Sequence, residues 1–225
     1  MFPCEFESHH PHKDIGDGFA GVFFLVKTGM DRFEIIDEER RLVRRAAPPK
    51  EEGTVWFAMS APYCRELKAK ALLDEMGIEN FVAMHWVKVE GSRRRKLVPA
   101  IHNLIFVHAK KEKVQETKAS IPFLQYRTMP IEGRNRPIVV PDWQMDQFIK
   151  VCDTLNDKLT FFDPEKSQLL KGARVRISGG EFDGVTGTFL RTKGRSSRRV
   201  IVEIPLLATV VTATIPADQL EIIQE

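Results

Sequence analysis

Short apolar runs alternate with amphipathic segments over roughly the middle hundred residues of the chain. Residues 55–59 and 101–109 are largely apolar, which indicates buried strands. Two other segments repeat apolar residues at i, i+3, i+4 and i+7, the period of a helix with one buried face. These positions are Ala69, Leu72, Leu73 and Met76, and then Met145, Phe148, Ile149 and Cys152. The pattern predicts an α+β fold, an α/β sandwich with helices packed on a mostly antiparallel sheet.

Proline, glycine and acidic residues predict where these elements begin and end. The segment 60–62 predicts a helix start, because Pro62 would occupy a first-turn position that needs no N–H donor. Gly77 predicts the end of that helix, in the left-handed position after the last turn. A short helix is predicted over residues 111–120, and Asp142 supplies an acid at the start of a later one.

Residues 171–225 follow a different pattern, in which β-branched residues alternate with polar residues and glycines. The stretch from 171 to 188, KGARVRISGGEFDGVTGT, predicts a strand that enters a glycine-rich turn. Its spacing resembles the KOW motif, the first strands and loop of a small SH3-like barrel in transcription elongation factors and ribosomal proteins. The alternative is an ordinary β-hairpin. The motif positions are Gly172, Val175, Ile177, Gly180, Phe182, Gly184 and Gly187.

The segment before this motif resembles the NusG N-terminal domain. The resemblance rests on Trp56-Phe57-Ala58-Met59, a helix, Gly77-Ile78-Glu79-Asn80-Phe81-Val82, a basic hairpin, Ile105-Phe106-Val107, Ile121-Pro122 and a proline-led helix, in that order. The resemblance implies a NusG N-terminal domain over 54–156, a linker over 157–170 and a KOW domain over 171–225. Residues 1–53 are an unassigned extension, expected to be partly disordered, and they depart from the family pattern. The implied fold is α+β, followed by a small SH3-like β-barrel.

Within this family, the sequence resembles specialised paralogs of the UpxY and RfaH type more than housekeeping NusG. Three segments carry this resemblance: His102-Asn103-Leu104, residues 204–210, and Ile215-Pro216. It implies a factor that suppresses pausing or termination on specific operons, such as capsular polysaccharide loci.

The resemblance also implies partners. Family members dock an apolar depression of the N-terminal domain on the clamp helices of the largest RNA polymerase subunit. The matching positions are Ile101, Leu104, Phe106, Leu124 and Tyr126, although alternate residues of any strand are also ordinary core positions. The KOW domain is implied to recruit a small-subunit ribosomal protein, termination factor Rho or RNA, with Phe182 at the contact position.

Charge supports a position beside nucleic acid. The net charge of the chain is only +3, but residues 54–150 hold 16 Lys and Arg against 10 Asp and Glu. The candidate contacts to non-template DNA or nascent RNA are Arg93, Arg94, Arg95, Lys96, Arg195 and Arg198. A solvated hairpin tip is the alternative for the first run. A different class also stays open, a ribosome-associated or RNA-binding KOW protein, although few stacking aromatics lie near the basic runs.

We expect no catalysis, metal or cofactor. No activated nucleophile with a base, no phosphate-binding loop and no zinc-type spacing of Cys and His occurs in the sequence. No apolar run is long enough to cross a bilayer, so we expect a cytoplasmic protein with no membrane contact.

Overall fold

The computed structural model describes residues 52–91, 93–162, 171–191 and 198–223. The predicted extension lies outside these ranges, apart from residues 52 and 53. All described residues belong to one compact unit, Ala47–Glu225. Its helices are α1 (Glu66–Glu75), α2 (Lys111–Ser120) and α3 (Asp142–Cys152).

Fifteen short strands accompany these helices in the described part of the chain. The first nine are β1 (Val55–Ser60), β2 (Glu79–Phe81), β3 (Met84–Lys88), β4 (Arg95–Pro99), β5 (Ile105–Ala109), β6 (Gln125–Tyr126), β7 (Thr128–Ile131), β8 (Arg134–Pro137) and β9 (Val139–Val140). The remaining six are β10 (Thr160–Phe162), β11 (Lys171–Ile177), β12 (Thr186–Arg191), β13 (Arg198–Ile204), β14 (Ala208–Val211) and β15 (Leu220–Ile222). A short 3₁₀ turn, Ala217–Gln219, precedes β15.

The first sheet is antiparallel and has the order β2-β5-β1-β6, with β9 also pairing with β1. All five residues of β5 are buried, since strands flank it on both sides and α1 and α2 contact it. Phe148 of α3 is fully buried and meets Phe81 and Phe106 edge to face, at ring centroid distances of 6.2 and 6.0 Å. The predicted arrangement of helices on an antiparallel sheet is confirmed.

The start of α1 differs from the prediction. The segment at 62–64 is a turn, with positive φ angles of 61° at Tyr63 and 54° at Cys64, and the helix begins only at Glu66. A left-handed backbone cannot continue into a right-handed helix, so the proline does not initiate α1. The end of α1 is as predicted, because Gly77 has a φ of 68° directly after the C-cap.

The buried face of α1 is also rotated from the predicted stripe. Glu66, Ala69, Lys70 and Leu73 are buried, whereas Met76 is exposed. The two charged residues have partners: Glu66 accepts a hydrogen bond from the Asn103 N–H, and the Lys70 ammonium lies 3.1 Å from Asp74. Charged residues can be buried when they are paired. A prediction from the apolar residues alone therefore placed the buried face of α1 about one position away from the observed face.

Two hairpins extend from the first sheet as separate two-stranded ribbons, β3–β4 and β7–β8. The sequence did not predict β7–β8, whose turn at Glu132 and Gly133 has positive φ at both residues, 51° and 74°. Two consecutive residues with positive φ are typical of the tight type I′ hairpin turn. Most residues of β8 are polar and exposed, so the ribbon lacks the apolar alternation by which a strand is recognised.

The second sheet is antiparallel, with the order β10-β14-β13-β12-β11-β15. Its core includes Leu190, Ile201 and Val211, against which Phe162 packs. The α+β part followed by a β-rich C-terminal part agrees with the predicted fold class. Thr160–Phe162, in the segment predicted as a linker, form a strand that pairs with β14.

Among the described residues, no helix combines the length and apolar character needed to span a membrane.

Candidate functional site

Three loops meet at one end of the first sheet. β1 ends at Ser60, opposite Gln125 of β6, and its Met59 pairs with both Ile105 and Tyr126. The loop after β1, the loop before β5 and the loop before β6 therefore converge at this end. We call this surface the aromatic end, formed by Tyr63, Arg65, Ile101, Phe123 and Tyr126.

Two of the five predicted polymerase-contacting residues lie at the aromatic end. Ile101 and Tyr126 are half-buried there. Leu104, Phe106 and Leu124 are instead core residues, with 2%, 1% and 0% of their surfaces exposed. For these three residues the structure shows the core position that the sequence left open as the alternative: β5 is covered on both faces, so alternate positions along it do not separate core from surface.

The remaining members of the aromatic end were not predicted. Tyr63 is 85% exposed and lies in a turn where its backbone is left-handed, with a φ of 61°. The Arg65 guanidinium carbon lies 4.4 Å from the Phe123 ring centroid and 5.3 Å from that of Tyr63. Arg65 Nε also donates to the carbonyl of Pro62 at 3.0 Å, which fixes the cation beside both rings. The one sequence feature that could have indicated this cluster is a bulky residue directly after a proline, as Tyr63 follows Pro62.

Tyr126 connects the surface to the core. Its ring meets Phe57 edge to face at 5.4 Å, and the Lys118 ammonium lies 4.6 Å from its centroid. Burial, and secondarily the carboxylate of Glu112, raise the pKa of Tyr126. Its hydroxyl is buried without a hydrogen-bond partner among the described residues. The phenol is therefore neutral at physiological pH, and the exposed part of the side chain contributes apolar ring surface rather than a charge.

The loop before β5 is held in place by hydrogen bonds at Asn103. This residue has a φ of 57°, and its N–H donates to the buried Glu66 carboxylate. Its carbonyl accepts a hydrogen bond from Arg127 at 3.1 Å. Since α1 and the chain after β6 are both tied to this loop, Ile101 is presented by a fixed backbone.

The predicted basic run lies on the β3–β4 hairpin. Arg93 and Arg94 precede β4, and Arg95 and Lys96 are its first residues; all four side chains are exposed. Arg95 forms an ion pair with Asp157. At the base of the hairpin, burial and secondarily the electrostatic influence of His102 lower the pKa of His85. This histidine is therefore neutral at physiological pH and adds no charge to the run.

The predicted KOW residues surround the turn between β11 and β12. Val175 and Ile177 are buried, and Gly180 and Gly184 have positive φ angles of 74° and 72°. A Cβ at Gly172 would lie 2.9 Å from the carbonyl oxygen of Phe189. The glycines thus meet the backbone requirements expected of them.

The turn between β11 and β12 faces α3 and the segment after it. Gln147 accepts a hydrogen bond from the Thr186 N–H at 2.7 Å, and Asn156 donates to Glu181 at 2.6 Å. Phe182, predicted to contact a partner, is only 4% exposed. Its side chain is therefore unavailable to a partner in this arrangement. Of the two predicted basic residues here, Arg198 is exposed and Arg195 lies outside the described residues.

In the described part of the chain, no group of three or more His, Cys, Asp or Glu side chains could hold a metal ion.

Residues 54–149 match the family described as "Transcription termination factor nusG". A solved structure, "Domain interaction in Thermotoga maritima NusG", matches at 16% identity with a TM-score of 0.41, covering 76% of this chain and 98% of that chain. The comparison with curated proteins finds no match.

By the family match, residues 54–149 are similar to a family of transcription factors.

Proposed function

We propose that this chain is a non-enzymatic transcription elongation or antitermination factor of the cytoplasm. In this proposal, residues 54–156 bind the clamp helices of the largest RNA polymerase subunit, and residues 171–225 form a KOW domain that recruits a second partner. The single observation that carries the proposal is the aromatic end, an exposed aromatic and arginine cluster on a domain similar to the NusG family.

The chemistry of the aromatic end suits a helical partner. Tyr63 and Phe123 offer rigid apolar area, and Arg65 adds a cation held between them. Tyrosine and arginine are the residue types that most often dominate binding energy at protein interfaces. Leu104, Phe106 and Leu124 contribute from beneath, because they fix the loops that carry the exposed residues.

Binding would act by a shift of populations rather than by chemistry. A factor that holds the polymerase clamp in its elongating conformation needs differential affinity for that state of a few kcal/mol. The basic hairpin would add salt-dependent contacts to non-template DNA or nascent RNA. The sequence resemblance to UpxY and RfaH proteins supports action on specific operons, such as capsular polysaccharide loci.

The second partner would bind the surface around Phe182, which is buried in this structure. A small-subunit ribosomal protein, Rho or RNA would reach Phe182 only after the turn between β11 and β12 leaves α3. The hydrogen bonds of Gln147 and Asn156 support this order of events, since they hold the turn against the first domain.

The test is retention of purified bacterial RNA polymerase by the full chain. We expect Tyr63→Ala and Phe123→Ala each to weaken binding about tenfold or more, as interface hot spots do. Trp143→Ala is the matched control, since Trp143 is an exposed aromatic of α3 outside the aromatic end, and it should leave retention unchanged. Thermal unfolding verifies that every variant is folded.

Two results would contradict the proposal. One is unchanged retention by a folded Tyr63→Ala, Phe123→Ala double variant, which would remove the aromatic end from the interface. The other is no retention of polymerase by the wild-type chain together with tight binding of RNA. That result would favour a ribosome-associated or RNA-binding KOW protein, the alternative that the exposed basic hairpin supports.

A further inference from the structure

Arg65 is a cation that lacks a counter-ion within the described ranges. Its guanidinium carbon lies 4.4 Å from the Phe123 ring centroid and 5.3 Å from that of Tyr63. None of the ion pairs among the described residues includes Arg65. The side chain is half-buried, so water screens its charge only in part. Because a partly buried charge is normally paired, the counter-ion is expected from a binding partner.

The guanidinium is held by one edge and open at the other. Arg65 Nε donates to the Pro62 carbonyl at 3.0 Å, which fixes the orientation of the group. The two terminal Nη nitrogens have no acceptor among the described residues, and they are not enclosed by protein. A carboxylate accepts hydrogen bonds from two N–H groups of one guanidinium at the same time. The open edge of Arg65 therefore has the donors that an Asp or Glu side chain needs.

A second cation borders the aromatic end in a similar setting. The Lys118 ammonium lies 4.6 Å from the Tyr126 ring centroid, and no described carboxylate forms an ion pair with it. Glu112 influences Tyr126 electrostatically but does not pair with Lys118. Glu66, the neighbour of Arg65 in the sequence, is buried. The surface thus combines aromatic rings with positive charge, which is complementary to an acidic partner.

The partner has to bring apolar groups as well as a carboxylate. An entirely apolar partner would cover Arg65 and leave its charge buried without a counter-ion, which is costly. A carboxylate alone would leave the exposed ring of Tyr63 without a contact. A helix meets both needs, because residues three or four apart lie on the same face and can be acidic and apolar in turn.

A nucleic-acid phosphate is the other anion that arginine commonly binds. Proteins that bind unpaired nucleic acid usually stack aromatic rings on the bases beside such cations. The Phe123 ring is half-buried, and the guanidinium lies over one of its faces, so little of this ring is left for a base. The cluster therefore favours a carboxylate of a protein.

We propose that Arg65 pairs with an Asp or Glu carboxylate on a helix of the protein that docks at the aromatic end. This rests on the proposed function, which it deepens by naming the group that the partner must supply. Tyr63 and Phe123 then provide apolar contact around the ion pair, and the pair fixes the orientation of the helix.

The experiment measures the Kd of the full chain for purified bacterial RNA polymerase free of nucleic acid, by biolayer interferometry. Arg65→Gln removes the charge and should weaken binding about tenfold. Arg65→Glu places a like charge beside the partner carboxylate and should weaken binding about a hundredfold. Arg176→Gln is the matched control, since it removes an exposed arginine of β11, and it should bind as wild type. Thermal unfolding verifies that each variant is folded.

The comparison of Arg65→Gln with Arg65→Glu separates an ion pair from a purely structural role. If Arg65 only braced the two rings, both substitutions would remove the brace and would weaken binding equally. With an ion pair, the additional loss for Arg65→Glu should shrink as the salt concentration rises, because salt screens the repulsion. Equal losses for the two folded variants at low salt would overturn the pairing.

Charge reversal on the partner identifies the carboxylate. The Asp and Glu residues of the polymerase clamp helices are changed to Lys one at a time. One of these polymerases should restore the binding of Arg65→Glu about tenfold and should not restore that of Tyr63→Ala. Restoration by none of them would overturn the pairing. A loss that appears only when the polymerase carries nucleic acid would assign Arg65 to a phosphate and would also overturn it.

These outcomes are distinct from failure of the proposed function. Wild-type binding together with equal losses for Arg65→Gln and Arg65→Glu would overturn only the present inference. No binding of polymerase by the wild-type chain would overturn the proposed function, and the inference with it.

Discussion

Gly187 lies so close to Ile201 that a Cβ at residue 187 would be 2.4 Å from the Ile201 carbonyl oxygen. The same Cβ would be 2.6 Å from a methyl carbon of Val200. The first of these neighbours is backbone of β13, which is paired on both sides in the second sheet, so it cannot move aside. Glycine is required at position 187 because the chain passes close to β13 there, and not because the φ angle is positive.

We therefore expect Gly187→Ala to lower the free energy of unfolding by about 3 kcal/mol, the upper range for overpacking. Gly179→Ala is the control: its φ is 89°, but nothing lies within 4 Å of the added Cβ. It should cost only about 1 kcal/mol, the penalty of a left-handed backbone for alanine. Urea unfolding measures both. Equal losses would mean that steric contact with β13 does not decide the effect.

Phe148 should be a major determinant of stability in the first domain. It is fully buried between Phe81 and Phe106, so Phe148→Ala removes a large side chain from a packed site. We expect a loss of about 3–5 kcal/mol in the free energy of unfolding. Trp143→Ala on the same helix should change stability by less than about 0.5 kcal/mol, because Trp143 is 57% exposed. A similar loss for both substitutions would contradict the packing of α3 described above.

Cys152 should make the protein less stable at alkaline pH. Burial, and secondarily the nearby Asp153, raise the pKa of the Cys152 thiol well above its ordinary value. The unfolded chain loses this proton at lower pH than the folded chain, so stability falls once the pH passes the unfolded pKa. The expected slope is about 1.4 kcal/mol per pH unit at most.

Denaturant unfolding of the wild type and Cys152→Ala between neutral and alkaline pH measures this slope. The variant should be less stable at neutral pH but should lose less stability as the pH rises. Labelling with iodoacetamide, read by mass spectrometry of the Cys152 peptide, should be slow in the folded protein at every pH tested. Parallel pH profiles for the two proteins, or rapid labelling, would contradict a buried thiol.

Gln147 should hold the turn between β11 and β12 on α3. Its side-chain oxygen accepts a hydrogen bond from the Thr186 N–H at 2.7 Å, which joins the second sheet to this helix. Gln147→Ala should therefore speed hydrogen exchange at the Thr186 amide about tenfold, corresponding to about 1 kcal/mol for one hydrogen bond.

The Val185 amide is an internal control for that measurement, since it donates to Phe182 within the turn and not to α3. Its exchange should change less than that of Thr186. Unchanged exchange at Thr186 would show that the turn does not depend on this contact.

Elements defined by local signals were predicted closely. The prediction for α2 matches its observed bounds, and four apolar positions of α3 are buried as its period indicated. Gly77 ends α1 as expected, because its left-handed conformation depends on its own backbone. Positions 175 and 177 of the glycine-rich motif are buried as strand alternation suggests.

Features that depend on distant neighbours were not predicted well. The sequence indicated Leu104, Phe106 and Leu124 as candidate contact residues. It did not indicate that all three would be fully enclosed in the core. Tyr63 is exposed in a turn whose φ angles no propensity specifies. Trp86 shares a face of the β3–β4 hairpin with Arg95 only through cross-strand register, which sequence distance conceals.

By itself, the sequence determined the class of fold, the order of most elements and the family resemblance of the middle segment. These follow from periodicity and from residues such as glycine, whose conformational range is a local property. Only the tertiary structure decided which apolar residues remain at the surface and which charges acquire partners. Burial and pairing depend on groups that are far apart along the chain, so they are fixed only when the strands adopt their register and the helices pack.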